Sequence, residues 1–432
     1  MSGLLLRLRR AVDSFWFVPA LVVLLAIILA EVVVGIDRAV VAAGLRDQLD
    51  WLDVVSASGG RDILGAVAGS ILAVAATSFS ITISVLATAS STYGPRLVRN
   101  FMSDRGNQLV LGSFGATFVY ALLVLRTIRD PSQDGGAFVP ALAIMLAVLI
   151  AIADVAILVY FINHIADSVQ VSTLSERVKK DLIATVERLY PAEPADCVTE
   201  ASGPRTGLQR TAHPLRSGYV QEVDESGLLR WAQEHDLVIE VRAQVGDHLI
   251  ESEPLAVSYG EGGDAEQIRR FFTVDDARTP FQDLRFAVQQ LEEMAVRALS
   301  PSTNDPYTAC NALAELGPGL TLLAARADSA LGREDSNGNL RLIVSRADLG
   351  DVIDSVFSAI RRNGIDHPPV LLELVKLGNR LITAAAANRS PVGPELASRV
   401  QRQLRLLRQN YRDHNPDADD LAGFEAKLPE GA

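Results

Sequence analysis

The sequence predicts a two-part protein. An all-α membrane domain of four transmembrane helices comes first. A cytoplasmic α+β domain follows, with a small β-barrel-like module and a C-terminal helical region. Three observations predict this. Four long apolar runs lie before residue 163. Residues 1–163 carry 11 Arg, no Lys and 11 acidic residues, so the whole net charge of −12 falls in the remainder. Beyond residue 164, apolar residues recur at helix and strand spacing instead of filling whole segments.

The predicted spans are about 17–36, 63–89, 109–125 and 137–162. A helix rising ~1.5 Å per residue needs about 20 residues to cross ~30 Å of hydrocarbon. The first run is too long for a signal-peptide core and has no clean small-residue cleavage site, so it reads as a retained anchor. Orientation follows the distribution of positive charge. Arg7, Arg9 and Arg10, then Arg96, Arg99 and Arg105, then Arg177, Lys179 and Lys180 mark one side. The loop after the first span holds Asp37, Asp47, Asp50, Asp53 and Asp62. Both termini are therefore expected in the cytoplasm of a multi-pass protein of a bacterial cytoplasmic (inner) membrane. The Arg-over-Lys bias and abundant Ala suggest a GC-rich genome. Cys197 and Cys310 are too few for a disulfide framework and fit a reducing compartment. A net-acidic soluble part argues against nucleic acid as a partner.

The second span is the most informative. Thr77, Ser80, Ser84, Thr88 and Ser91 follow helical steps and form one hydroxyl stripe, broadened by Ser78, Thr82 and Thr92. Such a stripe either packs helices closely or lines a path for water or ions. Asp154 lies inside the fourth span, where a charge costs about 2.5–3.5 kcal/mol on insertion scales and must face a cavity or a partner. A hydroxyl on the second helix is the expected partner. Glu31 can snorkel to the interface, and His164 and Asp167 read as interfacial. The first and third spans read as lipid-facing walls.

In the cytoplasmic part, residues 164–214 read as a helical stalk and linker, continuing the fourth helix and ending at Tyr190-Pro191. Residues 215–275 read as β-rich. Gly218-Tyr219-Val220, the run 237–243, the Gly246-Asp247 turn and the segment 254–257 resemble the barrel-sandwich fold of biotinyl and lipoyl domains. The four lysines are Lys179, Lys180, Lys376 and Lys427, so no acceptor lysine sits at a hairpin tip and a swinging arm is excluded. Residues 276–432 read as helical, with helices near 281–299, 349–362, 370–386 and 394–411, and a short strand at 340–345.

Between the first two of these regions of helix lies the run Ser300-Pro301-Ser302-Thr303-Asn304-Asp305-Pro306-Tyr307, preceded by Gln282-Asp283 and Arg297. Asp305 is a good N-cap with Pro306 at the first helical position. The cluster Ser300, Ser302, Thr303, Asn304 and Asp305 is then either a capped interhelix turn or a set of oxygens for a ligand or cation. With Thr77-Ser78-Phe79-Ser80 and Ser91-Thr92-Tyr93-Gly94-Pro95-Arg96, this run resembles the signature of a bacterial predicted membrane protein family, catalogued as domain of unknown function 2254. The resemblance implies four N-terminal spans and a cytoplasmic domain, with no agreed activity. Ser302-Thr303 depart from the glycine-like turn expected there.

There is no P-loop, no H-E-x-x-H, no C-x-x-C and no G-x-S-x-G, and the histidines lack ligand spacing. No enzyme activity, cofactor or metal is implied. Two readings of function remain. One is a homo-oligomeric ion channel or conduit in the lipid bilayer, passing inorganic ions, with a cytoplasmic assembly or gating domain. The other is a membrane-anchored scaffold or ligand sensor without transport.

Overall fold

The computed structural model describes residues 15–43, 56–93, 104–129, 138–168, 170–192, 198–199, 207–328, 331–344, 346–414 and 416–429. Arg7, Arg9, Arg10, Arg96, Arg99, Asp47, Asp50, Asp53, Cys197 and the side chains of Ser91 and Thr92 lie outside the described residues. The chain divides into two compact units, Met1–Gln170 and Val171–Ala432.

The first unit is built from α1 (Phe17–Ala42), α2 (Ala57–Tyr93), α3 (Arg105–Leu125) and α4 (Ala141–Ser168). Each contains a segment long and apolar enough to cross a membrane. Their burial differs. Half of α3 is buried, against 17%, 17% and 22% for the spans of α1, α2 and α4. The third span is therefore the centre of the bundle, which corrects its expected place as a lipid-facing wall. Small residues explain the change: they let helix backbones approach where lipid offers no competing hydrophobic drive. A Cβ on Gly112 of α3 would come within 3.0 Å of the Pro19 Cα on α1. Ala26 and Ala30 of α1, Ala68 of α2, and Ala143 and Ala147 of α4 join α3 residues Ala116, Tyr120, Ala121 and Val124 in one core. The Tyr120 hydroxyl donates to the Ala143 carbonyl at 3.1 Å. The outer face of α4 is aliphatic, with Leu149, Ile152, Val155, Val159 and Ile162 all more than half exposed. That is the surface expected against lipid acyl chains.

The second unit starts with α5 (Val171–Leu189). Its apolar residues Leu174, Val178, Leu182 and Val186 are buried at steps of one turn. They pack on α8 (Leu284–Ala298) and α9 (Pro306–Arg326), so this helix is a core element of the unit and not a free-standing stalk. A Cβ on Gly319 of α9 would fall 2.5 Å from Leu182 side-chain carbons, so only glycine lets the two helices meet here.

The strands form two sheets. β1 (Val198–Thr199), β8 (Gly332–Glu334), β9 (Leu340–Ile343), β4 (Val238–Val241), β6 (Ala256–Tyr259) and β2 (Gln209–Ala212) lie in that spatial order. A second sheet orders β5 (His248–Leu249), β3 (Gly218–Val223) and β7 (Phe272–Asp275). No closed barrel is seen among the described residues, and what they form is a mixed α/β arrangement with two sheets. The reason is the free edge of β4. It is taken in parallel by β9, with Ile239 opposite Leu342, so the sheet extends into the C-terminal region instead of closing on itself. α6 (Glu225–Glu234) packs Leu228 and Trp231 into the core that this sheet shares with Val220, Ile239 and Leu342. α7 (Ala265–Ile268) precedes β7. The helical remainder comprises α8, α9, α10 (Leu349–Asn363), α11 (Pro368–Ala387), α12 (Val392–Asp413) and α13 (Ala418–Glu425).

The turn between β8 and β9 is organised by Asp335. Its carboxylate accepts from the backbone N–H of Asn337 and Asn339, both at 2.9 Å, and from Arg341 Nε at 2.7 Å. The Asn339 backbone donor and then Arg341 hold this carboxyl below the ordinary carboxylate value. A depressed native pKa adds stability that is complete above the unfolded value of about 3.9 and fades as pH falls toward the native one. Acid unfolding of the parent chain should therefore be steeper below about pH 4 than that of Asp335→Asn. Thermal midpoints measured across that range check this, and parallel acid limbs for the two proteins would remove Asp335 from the account.

Candidate functional site

The hydroxyl stripe of α2 divides by side. Ser78 and Thr82 are buried, at 1% and 2% exposure, whereas Thr77, Ser80, Ser84 and Thr88 are exposed on the surface of the unit. Among the described residues, these four exposed hydroxyls are thus not buried in packing. Thr77 donates to the Ala73 carbonyl at 2.9 Å and Thr88 to the Ser84 carbonyl at 3.0 Å, the i−4 back-bond of helical threonines.

Asp154 is buried, at 1% exposure, on the α4 face opposite the aliphatic one. Its partner is Ser113, whose Oγ donates to Asp154 Oδ1 at 2.9 Å. Ser113 lies on α3, so the expected partner on the second helix is corrected. The central position of α3 explains it, because the inward face of α4 meets α3 there. Among the described residues Asp154 Oδ2 accepts no hydrogen bond within the protein. A buried carboxylate oxygen left so is costly in hydrocarbon, and its persistence in a native core calls for a functional account.

Sequence reasoning missed several polar residues of this bundle. Asn107 is fully buried near the start of α3, and neither polar atom of its side chain is bonded among the described residues. Gln108 and Thr117 on the same helix are also buried. α2 and α3 are in contact. Arg61 of α2 donates to the Ile128 carbonyl at 3.4 Å while Ile71 packs with Phe114, so the two helices run antiparallel and Ser78 and Thr82, in the second half of α2, lie toward the Asn107 end of α3. Asp104 caps α3, accepting from Gly106 N at 2.8 Å, and also meets His164 Nε2 of α4 at 3.0 Å. His164 stacks on Tyr160. Both contacts tie it to the end of α3 and to its own helix. Glu31 pairs with Arg126 at 3.5 Å in an exposed position, as a snorkelling acid would. The Ser113–Thr117 spacing of four beside small residues was the signal available for α3.

Asp37 lies inside α1, not in a loop, and is 4% exposed. Its two carboxylate oxygens accept from the backbone N–H of Leu142 at 3.1 Å and Ala143 at 3.0 Å. It caps α4 from a neighbouring helix, where a carboxylate also meets the positive end of the helix dipole.

In the second unit the motif loop joins α8 to α9. Asp305 Oδ1 accepts from Thr308 N at 3.0 Å, and its Oδ2 accepts from the Thr308 hydroxyl at 2.6 Å. These two bonds hold its carboxyl below the usual value. Ser300 Oγ lies 3.2 Å from both Ser302 Oγ and Thr303 Oγ1, and Asn304 adopts φ +46°. Both Asp305 oxygens are engaged in capping. The flanking Gln282 closes the end of β3, accepting from Val223 N at 2.9 Å and donating to its carbonyl at 3.3 Å. Among the described residues, no three His, Cys, Asp or Glu side chains converge as a metal site would need.

Comparison with known proteins gives one consistent result. A family described as "Predicted membrane protein (DUF2254)" matches residues 12–379. An uncharacterized protein of Mycobacterium tuberculosis strain H37Rv is 31% identical over 373 residues, covering 84% of this chain and 70% of the relative. Uncharacterized proteins of Mycobacterium tuberculosis strain CDC 1551 and of Mycobacterium bovis match with the same identity and coverage. No solved structure matches.

Proposed function

This chain belongs to the DUF2254 family of predicted membrane proteins, and on that premise we propose that it forms a homo-oligomeric conduit for inorganic ions. It would lie in the bacterial cytoplasmic membrane with both termini in the cytoplasm, and its second unit would assemble or gate the ring. The observation that carries this is the outward placement of Thr77, Ser80, Ser84 and Thr88 on α2. Copies meeting along that face would bring hydroxyls to a shared axis, where they replace part of an ion's hydration shell. A cyclic assembly satisfies the requirement that such a face be covered in every copy.

The test is flux through purified protein in liposomes. Ser84→Leu is expected to cut that flux by about tenfold or more, since it removes a coordinating oxygen and narrows the path. No flux at any voltage or pH, or equal flux through Ser84→Leu, would sink the proposal. A membrane-anchored scaffold or ligand sensor without transport is the second reading. It is favoured by the back-bonds of Thr77 and Thr88, which satisfy those hydroxyls inside the helix and so permit them to face lipid. A strictly monomeric particle by mass photometry identifies it.

A further inference from the structure

The second unit carries −11 of the chain's net charge of −12, yet one cleft in it reverses that sign. The cleft measures about 780 Å³, within the range of small-molecule sites. Arg188, Arg326, Arg333, Arg346 and Arg389 line it, and among the described residues the acidic side chains lining it are Glu225 and Asp328. These arginines come from the ends of α5 and α9, from β8, from the segment after β9 and from the α11–α12 connection. Five separate parts of the chain therefore converge one guanidinium each on a single space.

Their pairing leaves the charge unbalanced. Glu225 is shared by two of them, lying 3.0 Å from Arg346 and 3.4 Å from Arg333. Arg188 contacts neutral groups, donating to the Phe281 carbonyl and lying over the Phe281 ring. Among the described residues neither Arg326 nor Arg389 meets a carboxylate. Burial pushes the Arg333 guanidinium down from its ordinary value, and the Glu225 carboxylate opposes that shift. Concentrated guanidiniums in a partly enclosed space repel one another and focus a positive field, so an anion entering it relieves a cost already present. Tyr190, 7% exposed, forms part of the wall beneath Arg346.

We propose that this cleft binds a small molecule carrying phosphate groups, with Arg188, Arg326 and Arg389 as its principal contacts. Phosphate fits better than carboxylate. One planar carboxylate, Glu225, already satisfies two guanidiniums, whereas a tetrahedral phosphate offers three oxygens to guanidinium forks approaching from different sides. The volume accepts a nucleoside diphosphate as readily as pyrophosphate. The site stands independently of ion conduction.

Isothermal titration of the purified full chain with pyrophosphate and with ADP tests this. Saturable binding of at least one is expected, weakening with added salt. The double variant Arg326→Ala/Arg389→Ala should bind about tenfold or more weakly, the scale of a lost charge-assisted contact, with an unchanged thermal midpoint. Both residues are solvent-accessible, and Arg326→Lys/Arg389→Lys should restore part of the affinity while losing the fork geometry. No saturable binding of either probe, wild-type affinity in the alanine variant, or citrate binding as tightly as pyrophosphate would each overturn the proposal. Repeating the titration in phosphatidylcholine discs with and without phosphatidic acid separates two sources of the phosphate. Competition assigns it to a lipid headgroup and unchanged affinity to a soluble molecule, and either result upholds the phosphate site.

Discussion

Replacing Asp283 by alanine is expected to lower the thermal midpoint of the second unit by on the order of 10 °C. Asp283 is 1% exposed and serves three neighbours at once. It caps α8 by accepting from Phe286 N at 2.9 Å. It also accepts from Arg278 through both oxygens, at 2.7 and 2.8 Å. It further abuts Gly246, whose φ of +97° and whose contact with the carboxylate both exclude a side chain. Removing one partner of a buried ion pair costs about 3–5 kcal/mol, because the other charge is left stranded. For a unit of this size each kcal/mol moves the midpoint by roughly 2–4 °C. Fluorescence of Trp231, which sits in the core of the same unit, reports the transition. A shift of less than about 3 °C would show that Arg278 finds another partner.

The second large effect is expected in the membrane unit. Asp37→Ala removes the acceptor for two backbone N–H groups at the start of α4. Each buried donor left unmet costs about 1–3 kcal/mol, and the helix dipole loses its counter-charge. A combined loss of about 2–4 kcal/mol should appear as lower yield of folded protein in detergent and a lower midpoint. Asp37→Asn retains one acceptor and should fall between the parent and alanine. Equal behaviour of all three proteins would mean that water meets those N–H groups.

Much of the first unit was legible because a membrane span needs an uninterrupted apolar run, and four such runs stand out without reference to any partner. Which helix occupies the middle was not legible. That depends on how closely backbones approach, and Gly112 against Pro19 is a contact between residues almost a hundred positions apart. The same limit misplaced the partner of Asp154. Its burial followed from the cost of a charge in hydrocarbon, but Ser113 could be chosen only once α3 was known to be central. Asn107 gave no signal at all, since an asparagine near a helix start reads as an ordinary polar residue.

In the second unit, local strand and turn signals placed β3, β4 and β6. The barrel-like expectation came from the likeness of the Gly218-Tyr219-Val220 and Gly246-Asp247 pattern to the barrel-sandwich fold. The strand at 340–345 was legible locally, but its parallel pairing with β4, about a hundred residues earlier, was not. The motif around Ser300–Asp305 was readable as a capped turn. Its companion Asp283 was visible only as a neighbour, because its role lies in contacts with Arg278 and Gly246. The arginine cleft was hidden for the same reason: net charge is a sum, and five arginines from five segments vanish into a total of −12.

The β4–β9 pairing also sets a schedule for biosynthesis. Ile239 leaves the ribosome about 100 residues before Leu342, its partner. At roughly 5–20 residues per second, β4 waits on the order of 5–20 s for the strand that completes its sheet. During that interval β6 can cover one side of it, while the other presents a row of unsatisfied peptide groups next to Ile239 and Val241. A nascent chain already tethered by its N-terminal helices thus carries a temporary adhesive edge, and crowded synthesis on one message invites neighbouring copies to pair there. Slow-translating codons placed before residue 332 should lengthen that window and raise the aggregated fraction, whereas faster ones should narrow it.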